Sequence, residues 1–194
     1  EAWRIRFSWD SGMSFSEVTE ASGHLPLPPY VKRDDVPEDN IRYQTVYSAV
    51  KGSVAAPTAG LHFTDEVLAS INNKGIGSAK LTLHIGAGTF RPVKKEDISK
   101  HEMHCEHFFV TRELLRNLIS SEGRITAVGT TSVRTLESLY WLGASISMNP
   151  ESYPDLRLGQ WDPYIIKGDI PLKDSVSALI GRMNDSGSGF LHGS

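Results

Sequence analysis

Between positions 80 and 142 the apolar residues switch back and forth between two spacings, and this restricts the fold more than any other feature of the chain. In residues 80–85, Leu81, Leu83 and Ile85 face one way and Thr82 and His84 the other, the two-residue period of a strand. Residues 108–110 form a second strand candidate. Thr111 then suits the N-cap of a helix with Leu114, Leu115, Leu118 and Ile119 on one face, ending near Gly123. Residues 125–128 read as a short buried strand. The turn Gly129-Thr130-Thr131-Ser132 follows and opens a helix carrying Val133, Leu136, Leu139 and Tyr140. Strands and helices in alternation predict an α/β domain.

The flanks are less regular. Residues 3–7 alternate like a strand already under way, and residues 14–22 have weak helical character. Pro26, Pro28 and Pro29 exclude helix and central strand, so residues 25–30 form an extended crossing piece, followed by a polar loop holding Asp34, Asp35, Glu38 and Asp39. Residues 43–50 fit a strand or a short helix equally. A run of small residues from Gly52 to Gly60 precedes Thr64, which has the character of an N-cap, with Asp65 and Glu66 in the first turn, Val67, Leu68 and Ile71 as the apolar stripe and Gly75 at the end. Residues 144–174 are punctuated by Pro and Gly and read as an irregular excursion. The final ten residues show no closing element, and both ends look cut.

Composition narrows the function. A formal net charge of −3 argues against binding nucleic acid through bulk positive charge, while leaving room for a local basic patch. The single cysteine, Cys105, allows no internal disulfide and fits a reducing, cytoplasmic setting. No apolar run is long enough to span a membrane.

Four segments have the residue types that carry chemistry. At Gly129-Thr130-Thr131-Ser132 the free amides of a helix start, with Arg134 close by, suit an anion; an ordinary hydroxyl cap with an exposed Arg reads equally simply. His84 sits at the carboxyl end of a strand beside the glycine-rich Gly86-Ala87-Gly88-Thr89, where ligands bind in α/β domains; the alternative is a structural histidine. A dinucleotide site is rejected there, because the third glycine is missing and Arg91-Pro92 replaces the expected helix. Residues 101–107 hold His101, His104, His107, Glu102, Glu106 and Cys105, but histidines three apart do not match the zincin spacing. Acid–base use of one histidine with Glu106 is the better reading. The run 52–64 offers hydroxyls such as Thr58 and one imidazole, His62, for a nucleoside, or else a tight-packing loop.

Taken together, GHLPLPPY (23–30), RYQTVY (42–47), GSVAAPTAGLHFT (52–64), TLHIGAGTF (82–90), HEMHCE (101–106) and AVGTTSVRTLE (127–137) resemble the S-adenosylmethionine:tRNA ribosyltransferase-isomerase family of queuosine biosynthesis, in its order and nearly its spacing, over roughly residues 1–142. The resemblance implies a transferase-isomerase that uses S-adenosylmethionine as co-substrate, with no metal, and modifies an aminomethyl-deazaguanine in tRNA to give epoxyqueuosine. It also implies part of an unusual α/β barrel-like domain. Residues 1–22 would end an inserted small β-barrel domain and return to the main domain, 23–194, with an irregular insertion at about 143–181. The resemblance joins these segments without saying which histidine is the base; within them His84 and His104 with Glu106 are the candidates for proton transfer. Thr58, His62, Gly86, Gly88, Thr89, Thr130, Thr131, Ser132 and Arg134 become the substrate-binding candidates. Lys32, Arg33, Arg91, Lys94 and Lys95 are the candidates for tRNA phosphate. Oligomeric state is left open, with a monomer favoured. The competing classes are a non-catalytic S-adenosylmethionine- or RNA-binding fragment and a metal-dependent hydrolase built on residues 101–107.

Overall fold

A computed structural model describes residues 3–10, 12–28, 30–50, 53–90, 96–121 and 124–194. In chain order these form helices α1 (Phe15–Ser22), α2 (Asp39–Arg42) and α3 (Asp65–Asn73), strands β1 (Thr82–His84) and β2 (His107–Thr111), helices α4 (Arg112–Ser120), α5 (Thr130–Met148), α6 (Asp162–Ile165) and α7 (Leu172–Asp185), and strand β3 (Phe190–Gly193). Gly52, Pro29, Gly123 and the pair Arg91-Pro92 lie outside the described residues, as do the phosphate candidates Lys94 and Lys95.

The core forms where α5 crosses α7. Val176, Leu179 and Met183 recur along one face of α7 and are fully buried, against Leu139, Leu142 and Ile146 of α5. The two backbones come unusually close at Gly143. A Cβ there would overlap the carbonyl and hydroxyl oxygens of Ser175. Ser175 is itself fully buried, and its hydroxyl donates to the Tyr140 carbonyl at 2.7 Å, so a polar group in the core is satisfied across the helix pair. The Tyr140 hydroxyl donates in turn to the Ile170 carbonyl at 2.9 Å, fixing the entry to α7.

The sheet lies on the same core. It is antiparallel, in the order β1-β2-β3, with Leu83 opposite Phe108 and Val110 opposite Leu191. Phe108, Val110 and Leu191 are buried, with Leu83 packed beside them. The opposite face presents His84, His107, Phe109, Phe190 and His192, because neighbouring side chains alternate across a strand. Thr111 ends β2 and caps α4, accepting from the Leu114 N–H at 3.2 Å, so strand and helix meet without a loop. Leu114 and Leu115 are buried, and Leu118 and Ile119 are packed against the core.

Other caps follow the sequence closely. Ser14 and Glu17 form a reciprocal capping box on α1. Thr64 accepts from the Val67 N–H at the start of α3. Gly75, at φ 73°, closes α3: its N–H donates to Asn72 and the Ile76 N–H to Ile71, the paired bonds of a left-handed terminus.

Five expectations are corrected. Residues 3–7 form no strand; Trp3, Ile5 and Phe7 are exposed, and alternation alone supplies no neighbouring strand for the backbone. Residues 125–128 form no strand either, with Ile125 exposed, and the chain passes straight into α5. The last residues do contain a closing element, β3; its inward position 193 is glycine because a Cβ would meet the Leu156 carbonyl at 2.5 Å and the Phe108 ring at 2.6 Å. The irregular stretch is shorter than expected, since α5 runs to Met148 and α7 begins at Leu172. Residues 43–50 are neither helix nor strand.

The supposed polar loop around 34–39 has a buried anchor. Asp39 takes both guanidinium nitrogens of Arg33, at 2.6 and 2.8 Å, and the Val36 N–H at 2.9 Å. His24 Nδ1 and the Leu25 N–H bond to Asp35 at 2.9 and 3.0 Å and tie the extended crossing piece to this loop.

Two outcomes follow from this packing. Gly143→Val should destabilise the chain by about 2 kcal/mol or more in chemical denaturation, because neither helix backbone has room to yield. The Asp39 carboxyl is lowered from 3.8 to about 2, first by the Arg33 bond and then by the Val36 N–H. A carboxyl lowered on folding contributes stability above its unfolded value and loses it as the pH falls through the folded one. The stability difference between wild type and Asp39→Asn should therefore be full above pH 3.8 and vanish as the pH falls through about 2, read from denaturation curves across that window.

Candidate active site

β1 delivers the chain into the glycine-rich loop at 86–90, and a second segment pins that delivery. The Ser53 hydroxyl donates to the Leu83 carbonyl at 2.9 Å and accepts from the Ile85 N–H at 3.1 Å. The Val54 N–H donates to the Ile85 carbonyl at 2.8 Å. One hydroxyl thus satisfies two backbone groups that β1 leaves unpaired on that side.

Residues 101–106 run alongside without regular structure, and β2 begins at His107. Positions 104 and 106 share a side of this extended segment, and their side chains meet: His104 Nε2 lies 2.7 Å from Glu106 Oε1. Glu106 is only 8% exposed, so its carboxylate depends on this partner in place of water. In the tautomer that donates Nε2–H to Glu106, Nδ1 is the ring's acceptor nitrogen. Gly88 lies close against the base of the same side chain: a Cβ there would stand 2.9 Å from His104 Cβ and 3.1 Å from Cγ. Only glycine allows the loop to lie this close.

The start of α5 completes the arrangement. Arg134 reaches back and donates from Nη2 to the His104 carbonyl at 2.6 Å. The first bond of α5 runs from the Val133 N–H to Gly129, so the amides of Thr130, Thr131 and Ser132 have no partner within the helix, and no side chain caps them. Gly129 enters the helix at φ 91°, which excludes a side chain without strain. The tight turn Thr58–His62 lies against this entry, with Ala59 facing Gly129. Gly60 in that turn sits beneath the Tyr47 hydroxyl, with no room for a side chain.

The structure therefore groups His104, Glu106, Gly88 and Arg134, and sets the Thr58–His62 turn beside Thr130, Thr131 and Ser132. Thr58 and His62 are exposed at either end of their turn, and Gly86 and Thr89 are exposed in the loop. His84 stands apart from this group. It faces His107 across the strands and meets the Phe109 ring edge-on at 5.4 Å. Of the phosphate candidates described, Lys32 is exposed, whereas the Arg33 guanidinium is committed to Asp39. Among the described residues no group of three or more His, Cys, Asp or Glu is arranged to hold a metal ion, and no helix is long and apolar enough to cross a membrane. Sequence reasoning missed Ser53 and Gln160, whose side chains bond backbone groups of Leu83 and His101 far away along the chain. No local pattern marks such residues.

Residues 1–168 match the family model described as queuosine biosynthesis protein. This reaches past the motif-bearing blocks and takes in Trp161-Asp162-Pro163-Tyr164. Three curated relatives carry the name S-adenosylmethionine:tRNA ribosyltransferase-isomerase. The one from Treponema denticola is 57% identical over 127 residues, covering 64% of this chain and 37% of its own length. That from Thermosipho africanus is 56% identical over 134 residues, covering 68% and 38%. That from Francisella tularensis subsp. novicida is 52% identical over 176 residues, covering 87% and 52%. The chain thus spans between 37% and 52% of these three relatives. No solved structure matches.

The close approach at Gly88 makes a direct test. Gly88→Val should drive His104 away from Glu106, and the imidazole N–H resonance held by the carboxylate should disappear from the NMR spectrum. A retained resonance would show that the loop yields instead of the histidine.

Proposed function

The chain belongs to the queuosine biosynthesis protein family, and on that premise we propose that the protein it represents transfers and isomerises the ribosyl group of S-adenosylmethionine onto the aminomethyl-deazaguanine of a tRNA, giving epoxyqueuosine. The observation that carries this reading is the His104–Glu106 pair, packed under Gly88 and held by Arg134, in segments where the chain is similar to the named relatives. We place the described residues in a cytoplasmic enzyme, as part of an α/β barrel-like domain. Residues 1–22 would return from an inserted β domain, and residues at about 143–181, irregular only between α5 and α7, would stand as an insertion.

The chemistry asks for a base, a proton donor and an anion clamp. The sulfonium of the substrate acidifies the neighbouring ribose carbon. Glu106 holds the Nε2 proton of His104, leaving Nδ1 to take the carbon-bound proton. Adenine departs with a proton, for which His84 is the candidate donor. The tRNA amine then attacks the opened sugar, and methionine leaves with the C–S bonding pair as the second leaving group. The unpaired amides of Thr130, Thr131 and Ser132, with the remaining N–H groups of Arg134, suit the methionine carboxylate. Thr58, His62, Gly86 and Thr89 line the approach as candidate contacts to the nucleoside. Lys32 is the described candidate for tRNA phosphate.

Two measurements test the reading. Titration calorimetry of this chain with S-adenosylmethionine should give micromolar binding that weakens at least about ten-fold in Arg134→Ala, the loss of a charge-assisted contact. In the whole protein, His104→Ala should lower kcat by about 100-fold or more with release of adenine as the readout, the scale of a lost general base. Binding by the chain without turnover by the whole protein would favour a binding role over catalysis.

A further inference from the structure

The irregular stretch between α5 and α7 reaches the candidate site through one side chain. Gln160 Oε1 accepts from the Met103 N–H at 2.9 Å, and Gln160 Nε2 donates to the His101 carbonyl at 3.0 Å. In an extended segment the carbonyl of one residue and the N–H of the residue two further on point to the same side. One carboxamide can bond both, as the peptide of a neighbouring strand would. Gln160 therefore supplies residues 101–103 with the ladder contact that β2 provides only from His107 onward.

Gln160 is itself held. The Asp162 carboxylate accepts from the Gly159 N–H at 2.7 Å and from the Tyr153 hydroxyl at 2.9 Å, closing a turn around residue 160. The Tyr153 hydroxyl is pushed up to about 12, first by burial and then by its bond to Asp162, so it stays a donor at any physiological pH. Upstream, the Leu158 N–H donates to the Ser194 carbonyl and the Ser194 N–H to the Leu156 carbonyl, at 2.9 and 3.0 Å. The turn is thus attached to the residue that follows β3. From the sheet, through 156–158 and the Asp162 turn, the connection ends at residues 101 and 103, one residue before His104.

We infer that Gln160 is a positioning residue: its carboxamide holds residues 101–103 extended so that the His104 imidazole falls between Gly88 and Glu106. Arg134 fixes the same segment by the His104 carbonyl. With both grips in place the backbone on either side of the His104 Cα is set, and the side chain has one way to face. With Arg134 alone, the segment can pivot about residue 104. The inference rests on the transferase reading for its effect on turnover, but the grip itself does not.

The test has two arms. In the 194-residue chain, Gln160→Met keeps the side-chain length and removes both bonds. Amide exchange at Met103 should speed up by about ten-fold or more, the scale of a lost bond to an otherwise open amide. In the whole protein, Gln160→Met should lower kcat by about ten-fold while KM for S-adenosylmethionine stays within about two-fold, the split expected when geometry and not binding is lost. In a His104→Ala background the same substitution should add nothing further, because the residue it positions is gone. Unchanged exchange at Met103 overturns the grip. Unchanged kcat, or an effect that fully adds to His104→Ala, overturns the positioning role. If the unaltered whole protein transfers no ribosyl group, the transferase reading fails, and Met103 exchange still decides whether Gln160 holds the segment.

Discussion

The approach of two helix backbones at Gly143 and Ser175 governs the rest of the molecule. Helices carrying large residues at a crossing stand apart; a glycine facing a serine lets them close, and the serine hydroxyl then bonds a main-chain carbonyl of the other helix. That contact sets the tilt of α5 on α7. The tilt carries through the remaining turns of α5 to its first residues, where Arg134 takes hold of the His104 carbonyl. A core contact and a candidate catalytic imidazole thus lie at two ends of one rigid rod. The sheet depends on it as well, since Phe108, Val110 and Leu191 pack on the surface that the helix pair creates.

Electrostatically the site is economical. Glu106 is a nearly buried carboxylate whose hydrogen-bond partner is an imidazole, and the pair is reached by a main-chain contact from a cation, not by a second ion pair. Arg134 spends one N–H on the His104 carbonyl and keeps its charge beside the uncapped amides of α5. Positive character is concentrated at the helix start, while the imidazole faces the glycine loop. This separation suits a reaction in which an anionic end of the substrate is anchored and a proton is moved elsewhere on it.

What the sequence made legible was local. Hydroxyl residues at positions 64 and 111 announced helix starts, because an N-cap needs only the next three residues to act. The stripe on α4 and the alternation in β1 were readable for the same reason. The strands at 3–7 and 125–128 were misread because alternation marks two faces but says nothing of a partner. β3 was overlooked because a position crowded by Leu156 and Phe108 had to be glycine, which erased the apolar pattern. At the site, the nearness of His104 and Glu106 could be read from a spacing of two. Ser53 and Gln160 could not, since their partners are fixed only by the tertiary fold. The motif-bearing blocks supplied the family, and the physics of the fold supplied the arrangement within it.

The register of the sheet has a consequence for how the molecule comes together. β2 pairs with β1 across a short stretch of sequence, but Val110 pairs with Leu191, and α4, α5 and α7 all lie between them in the chain. Bringing such distant residues together has an entropic cost that contacts nearer in sequence do not carry. With α5 and α7 crossed, the loop that β3 must close is shorter. β3 is therefore the strand that registers whether α5 and α7 have met, and the residue after it, Ser194, passes that arrangement on to 156–158.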